Sequence, residues 1–160
     1  TFSSFYFNFI ENYLYMSTNK IMFKNALFIF SGIGVYFFLM KLLDLESYSG
    51  LRFLNFIFVL WGINNAIKTN IQHNNEILYV RNLAIGIGTS ALAVGMSIIG
   101  LIVYTSFINP EFIGLVQESF LWTSELTLPL LVFALAIEGI ASSVISSFIL
   151  MQYYKNYKTA

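Results

Sequence analysis

A single carboxylate, Glu138, stands near the centre of the stretch LLVFALAIEGIASSVISSFIL, which is otherwise apolar or small from Leu130 to Leu150. A carboxyl in such a run can relay a proton, hold a cation or hydrogen-bond a neighbouring helix. No Lys or Arg lies in the same stretch to balance it. Three further carboxylates, Glu111, Glu118 and Glu125, recur every seven residues in INPEFIGLVQESFLWTSEL. Seven residues advance a helix by roughly 10 Å, beyond the reach of one ion. The pattern therefore reads as a solvated acidic face and not as a metal site. GIGTSA, at Gly86–Ala91, matches the dinucleotide pattern GxGxxA. That chemistry needs a strand before it, a helix opening at it and an acidic residue about 20 positions on. Here the motif sits inside an apolar run, and nothing acidic follows until Glu111. His73 lies among Gln72, Asn74 and Asn75 with no catalytic partner in its neighbourhood, and reads as a solvated loop histidine. No nucleophile elbow occurs. The absence of cysteine excludes disulfides, thiolate catalysis and Cys-based metal centres. These residues predict a protein that is not an enzyme and carries no metal and no cofactor.

The elements that position these residues follow from composition. Of 160 residues, 58% are hydrophobic and 10% charged, with a mean hydropathy of +0.73. Soluble domains carry about 25% charged residues, and a chain this short has too little interior to hide so much apolar surface. The bilayer is the expected surrounding. A formal net charge of zero argues against a nucleic-acid partner, which requires a basic patch. Spanning helices need about 20 predominantly apolar residues, and four windows qualify: 25–43, 51–69, 83–108 and 126–150, the second being the least apolar. Residues 1–24 form a separate N-terminal segment, and 25–158 the four-span membrane domain. TFSSFYFNFIENYLY, with seven aromatics in fifteen residues, lacks the pattern of a signal peptide. It reads either as an interfacial aromatic segment or as extraneous to a chain that starts at Met16.

Basic residues set the orientation. With four spans, Lys20, Lys24, Lys68, Arg81, Lys155 and Lys158 fall on one side, and only Lys41 and Arg52 on the other, where they can snorkel. Both termini are therefore expected in the cytoplasm, with Tyr153, Tyr154 and Tyr157 as an aromatic belt. Between the third and fourth spans, Asn109, Pro110 and Glu111 suit a helix start. Phe112, Leu115, Val116 and Phe120 fall on one side of it, predicting an amphipathic helix on the outer membrane surface. In the third span, Ala84, Gly88, Ala91 and Gly95 form one small-residue stripe, and Gly86, Ser90, Ala93, Ser97 and Gly100 another. Such stripes let membrane helices approach closely, so this span is expected at the centre of the bundle. Glu138 falls near the midplane, sharing a face with Ala134, Ala141 and Ser142. It is expected to face the bundle interior, with Asn64 at similar depth as a partner.

The layout from about residue 25 to 158 resembles a family of uncharacterised four-span membrane proteins, a domain of unknown function found mainly in Bacteroidota. The resemblance lies in the first hairpin, the Gly- and Ala-rich third span, YTSFINPEF at 104–112 and the closing SSVISSFILMQYYKNYK. It implies a fold and no mechanism, and it assigns no role to Glu138. The combined expectation is an all-α integral membrane four-helix bundle, with an amphipathic surface helix between spans 3 and 4, in the bacterial inner membrane. Its expected role is a non-catalytic accessory or scaffolding subunit, whose partners are the lipid bilayer and a larger membrane complex or a homo-oligomer. The alternative is a small oligomeric transporter or channel using Glu138 for proton or cation coupling.

Overall fold

The computed structural model describes residues 17–45, 49–114 and 127–155. Among them there are helices and no strand. Helix α1 runs Thr18–Leu42 and ends where Asp44 turns left-handed at φ 54°. A short 3-10 segment, Ser49–Leu54, leads into α2, Asn55–Asn74. Asn75 closes α2 at φ 50°, a left-handed cap that asparagine tolerates better than most residues. Helix α3, Tyr79–Val103, continues into a π-helical turn at Tyr104–Ile108. Helix α4, Leu128–Tyr154, carries Pro129 in its first turn, where the missing N–H costs nothing.

Three of these helices are long and apolar enough to cross a membrane: Thr18–Leu42, Tyr79–Ile108 and Leu128–Tyr154. Helix α2 falls short because Asn64, Asn65, Lys68, Asn70, Gln72, His73 and Asn74 crowd its second half. The helix limits also differ from the hydropathy windows. Thr18–Lys24, assigned by composition to the N-terminal segment, form the first turns of α1. Nothing in TNKIMFK breaks a helix, so the polar flank continues the apolar core.

Beside an apolar core that includes Ile21, Ile29, Ile63, Ile67 and Leu131, many large apolar side chains face outwards and several small polar ones are buried. Phe23, Phe38, Phe53, Trp61, Ile99, Phe107 and Phe133 are exposed, while Asn25, Asn70, Asn82, Thr89, Ser90, Ser143, Ser146 and Ser147 are buried. Lipid tails are as apolar as leucine, so helices in a bilayer associate through small and polar residues and leave large apolar groups outside. Helix α3 is the hub: it packs against α1, α2 and α4, and α2 also touches α1 and α4. Its core face is Asn82, Ile85, Gly86, Thr89, Ser90 and Ala93.

Close approach depends on particular glycines. A Cβ on Gly62 would overlap Ile29 Cγ1. One on Gly139 would stand 2.7 Å from both Val94 methyls, and one on Gly86 2.9 Å from Ser147 Oγ. Gly88 abuts the flexible Met22 at 2.7 Å, and Gly100 meets Phe30 at 3.1 Å. Three residues of the first expected packing stripe lie elsewhere: Ala84 and Ala91 are exposed, and Gly95 has nothing within 4 Å of a Cβ. A helix buries only part of its circumference, and the second stripe, through Gly86, Ser90 and Ala93, takes the core side.

The aromatic belt needs correction at Tyr154, which is buried at 8% exposure, whereas Tyr153 is 78% exposed. Tyr157 lies outside the described residues, as do residues 1–16 and most of the expected surface helix, 115–126. The start of that segment is described, and there Phe112 is buried against Tyr104 and Leu131.

Candidate functional site

The polar residues that make α2 too hydrophilic for an isolated span are turned onto its neighbours. Asn65 Nδ2 donates to Asn25 Oδ1 on α1 at 2.7 Å, and Asn25 Nδ2 donates back to Ile21 O at 2.8 Å. Asn70 Nδ2 donates to Asn82 Oδ1 on α3 at 2.8 Å, and Asn74 Nδ2 to Asn70 Oδ1 at 2.8 Å. Tyr154 Oη, at the end of α4, donates to Asn64 Oδ1 at 2.8 Å. A carboxamide is both donor and acceptor, so a few asparagines join α2 to all three other helices. The same bonds align the α1 start, the α2 end, the α3 start and the α4 end. Lys20, Lys24, Lys68, Arg81 and Lys155 thereby collect at one end of the molecule.

At that end the loop from Asn75 to Leu78 is fixed by its own polar groups. Asn82 Nδ2 donates to Glu76 O at 2.7 Å and Leu78 O at 3.3 Å. The Glu76 carboxylate accepts from Arg81 Nη1 at 2.6 Å and from the Leu78 N–H at 3.1 Å. The Arg81 bond and then the Leu78 N–H hold the Glu76 carboxyl below the usual carboxylate range. A carboxyl whose folded pKa is depressed adds stability above its unfolded value, about 4.3, and that contribution disappears as the pH falls through the folded value. Arg81 is two-thirds exposed, so the effect stays local and small. Proteolysis within 75–78 is expected to quicken as the pH drops below about 4. Glu76→Gln should be cut at that faster rate at neutral pH. Equal cleavage of parent and variant across the range would show that the pair does not order the loop.

The opposite end holds an aromatic cluster. Phe37, Tyr104 and Phe112 stand mutually edge-to-face, with centroid separations of 5.2, 5.4 and 5.4 Å. Lys41 Nζ donates to Tyr104 Oη at 2.7 Å and lies 5.1 Å from that ring's centroid. Lys41 is thus half-buried against protein and does not simply snorkel. The π-helical turn places Tyr104, with the Asn109 N–H reaching back to Tyr104 O at 2.9 Å. This cluster gives YTSFINPEF a structural meaning: Tyr104 and Phe112, its first and last residues, touch each other.

Glu138 lies apart from both ends. It is exposed, on the outward side of α4, and does not face the interior as expected. The inward face is set by Gly139, Ser143 and Ser147, spaced four apart, with Gly139 against Val94 and Ser147 against Gly86. These small groups allow a closer approach than the competing stripe through Ala134 and Ala141, so α4 turns that stripe outwards. Val94 is near the middle of the Tyr79–Ile108 span, which puts Glu138 at mid-height. Among the described residues no hydrogen bond or ion pair reaches it. Asn64 is not its partner: it pairs with Tyr154, roughly 24 Å further along α4. Depth counted from the outer ends misplaces Asn64 because the outer ends of α2 and α4 are not level: the bond to Tyr154 sets Asn64 beside the last turn of α4.

Sequence reasoning passed over the hydroxyls of Thr89 and Ser147, both fully buried and without a hydrogen-bond partner among the described residues. It also missed the asparagines at 25, 70 and 82, whose signal was an amide recurring inside runs otherwise fit for the core. Among the described residues no group of His, Asp or Glu is placed to hold a metal ion. In comparison with known proteins, no family model, curated protein or solved structure matches the chain.

Proposed function

We propose that this chain is a multi-pass protein of the bacterial inner membrane, crossing four times with both termini in the cytoplasm, and that it serves as a non-catalytic accessory or scaffolding subunit of a larger membrane assembly. The observation that carries the reading is Glu138: a carboxyl at mid-height on an outward face whose neighbours Ile137, Ile140 and Ile145 are all more than half exposed. In hydrocarbon an uncovered carboxyl is costly, and intramembrane carboxyls are met by protein or a water-filled cavity. A partner helix that covers it removes that cost.

Two features support four crossings. The lipid-side residues of α2 in its first half are Phe56, Ile57 and Trp61, while Asn65, Asn70 and Asn64 are turned onto α1, α3 and α4. Hydropathy summed around the helix therefore understates its fitness for a bilayer. The gathering of Lys20, Lys24, Lys68, Arg81 and Lys155 at one end supports a cytoplasmic position for that end. Membership in the uncharacterised four-span family belongs to the same proposal and rests on YTSFINPEF.

The test is extraction from native membranes in mild detergent, followed by sizing of the intact particle. The expected result is a particle holding this chain and at least one further membrane-protein chain, which Glu138→Leu dissociates. Recovery as a single chain, unchanged by Glu138→Leu, would sink the proposal.

A further inference from the structure

The groove between α1 and α2 opens outwards at an aromatic pair. Phe28 and Trp61 stand edge-to-face with centroids 4.7 Å apart, and both are exposed. Lys24 and Lys20 precede Phe28 by four and eight residues, and Lys68 follows Trp61 by seven. These spacings return to the same side of a helix. The two helices are pinned alongside each other by the bond from Asn65 to Asn25 and by the close approach of Gly62 to Ile29, which sets Lys24 and Lys68 at similar height. All three lysines are exposed, as is Asn65 between Trp61 and Lys68. Asn65 Nδ2 gives one proton to Asn25 and keeps a second. Charge at this mouth is unbalanced. Among the described residues the carboxylate at the basic end is Glu76, which Arg81 engages, and no hydrogen bond or ion pair reaches Lys20, Lys24 or Lys68. Towards mid-height the same face turns apolar, with Phe28 roughly 6 Å beyond Lys24 and Trp61 roughly 10 Å beyond Lys68.

We infer that this mouth binds one anionic phospholipid, with its phosphodiester between Lys24 and Lys68, Lys20 beside it, and an acyl chain over Phe28 and Trp61. The inference rests on the reading above, in which α1 and α2 both cross the bilayer with this end at the cytoplasmic surface. The order of the groups in depth selects the ligand. A free anion has no use for the aromatic pair, and an acidic peptide in the cytoplasm does not reach it. A phospholipid carries its negative charge at the surface and an apolar chain directly beneath, which is the order of this face. Basic residues near a membrane attract anionic lipid in general. That attraction is diffuse and draws equally on Lys155, which ends α4 outside the groove. A built site draws on Lys24 and Lys68 and not on Lys155, so the two cases differ in which lysine matters.

Trp61 reports on the site directly. The other tryptophan is Trp122, so Trp122→Phe leaves Trp61 as the sole emitter. The full chain is placed in phosphatidylcholine vesicles that contain a graded fraction of phosphatidylglycerol with brominated acyl chains, which quench tryptophan on contact. Half-maximal quenching is expected at a fraction about fivefold lower than with brominated phosphatidylcholine, since one lysine near anionic lipid is worth about that factor. Adding Lys24→Gln and Lys68→Gln should remove the preference, and Lys155→Gln should keep it. These lysines are exposed, so the helicity of the variants should match the parent. Equal quenching by the two brominated lipids overturns the inference while leaving the crossing of α2 standing. A preference that survives the double variant, or that Lys155→Gln lowers as far, also overturns it. Loss of the preference in excess inorganic phosphate would assign the lysines to a free anion and overturn the lipid assignment. No quenching by either lipid removes the crossing of α2 and the inference together.

Discussion

Gly62→Leu unfolds this protein more readily than a substitution at any glycine chosen by sequence pattern. Gly62 is buried on α2, and a Cβ there would overlap Ile29 Cγ1, stand 2.6 Å from Ile29 Cδ1 and 3.5 Å from Asn25 O. The nearest groups thus belong to a fully buried β-branched side chain and to backbone, neither of which yields easily. Alanine, a better helix former than glycine by about 1 kcal/mol, should still lose stability at this position, because overpacking costs about 1–3 kcal/mol. Leucine should reach about 3 kcal/mol. At Gly95, open to 4 Å, the same Gly→Ala change meets no obstacle and the propensity gain remains. Unfolding in a graded detergent series gives the comparison. Adding Ile29→Ala to Gly62→Ala should recover part of the loss, since the new methyl fills space the isoleucine vacates. Strict additivity of the two changes would show that the contact does not limit the approach of α1 and α2.

Much of the architecture was legible in the residues because hydropathy is a sum over many positions. The runs around α1, α3 and α4 are apolar enough to announce membrane helices, and the small-residue stripes identify α3 as the hub. What failed was the choice between faces. On α4 two stripes of small residues run side by side, one through Ala134 and Ala141, the other through Gly139, Ser143 and Ser147. Composition does not rank them. Packing does, because glycine and serine bring α4 closer to Val94 and Gly86 than the alanine stripe would. Glu138 follows its helix outwards as a result. Helix α2 illustrates the opposite limit. Its asparagines lower any hydropathy average, yet Asn64, Asn65 and Asn70 each bond to a residue of another helix. Pairing is a property of two helices, and no window along one of them contains it. The pairing of Lys41 with Tyr104 is equally non-local, bringing together residues 63 positions apart.

The amide network should dominate the stability of the basic end, and Asn82 is its most exacting member. At 1% exposure it accepts from Asn70 Nδ2 at 2.8 Å and donates to Glu76 O at 2.7 Å. Asn82→Leu keeps much of the volume and loses both bonds. Asn70, itself 2% exposed, is then left with a buried N–H donor lacking its acceptor. A buried polar group stranded in this way costs about 1–3 kcal/mol, and the Glu76 carbonyl adds to it, so a loss of about 3 kcal/mol is expected. Asn70→Leu alone should cost a similar amount, because it strands Asn82 Oδ1 in turn. The double variant should cost clearly less than the two single losses added together, since removing both partners leaves neither unpaired. Detergent-induced unfolding of the four proteins closes this cycle, and amide exchange along 75–82 locates the damage. A single Asn82→Leu variant that unfolds with the parent and exchanges at the parent's rate would mean that α2 and α3 are held by Ile67, Ile71 and Ile85 alone. The asparagines would then be passengers in a helix pair that apolar contact already fixes.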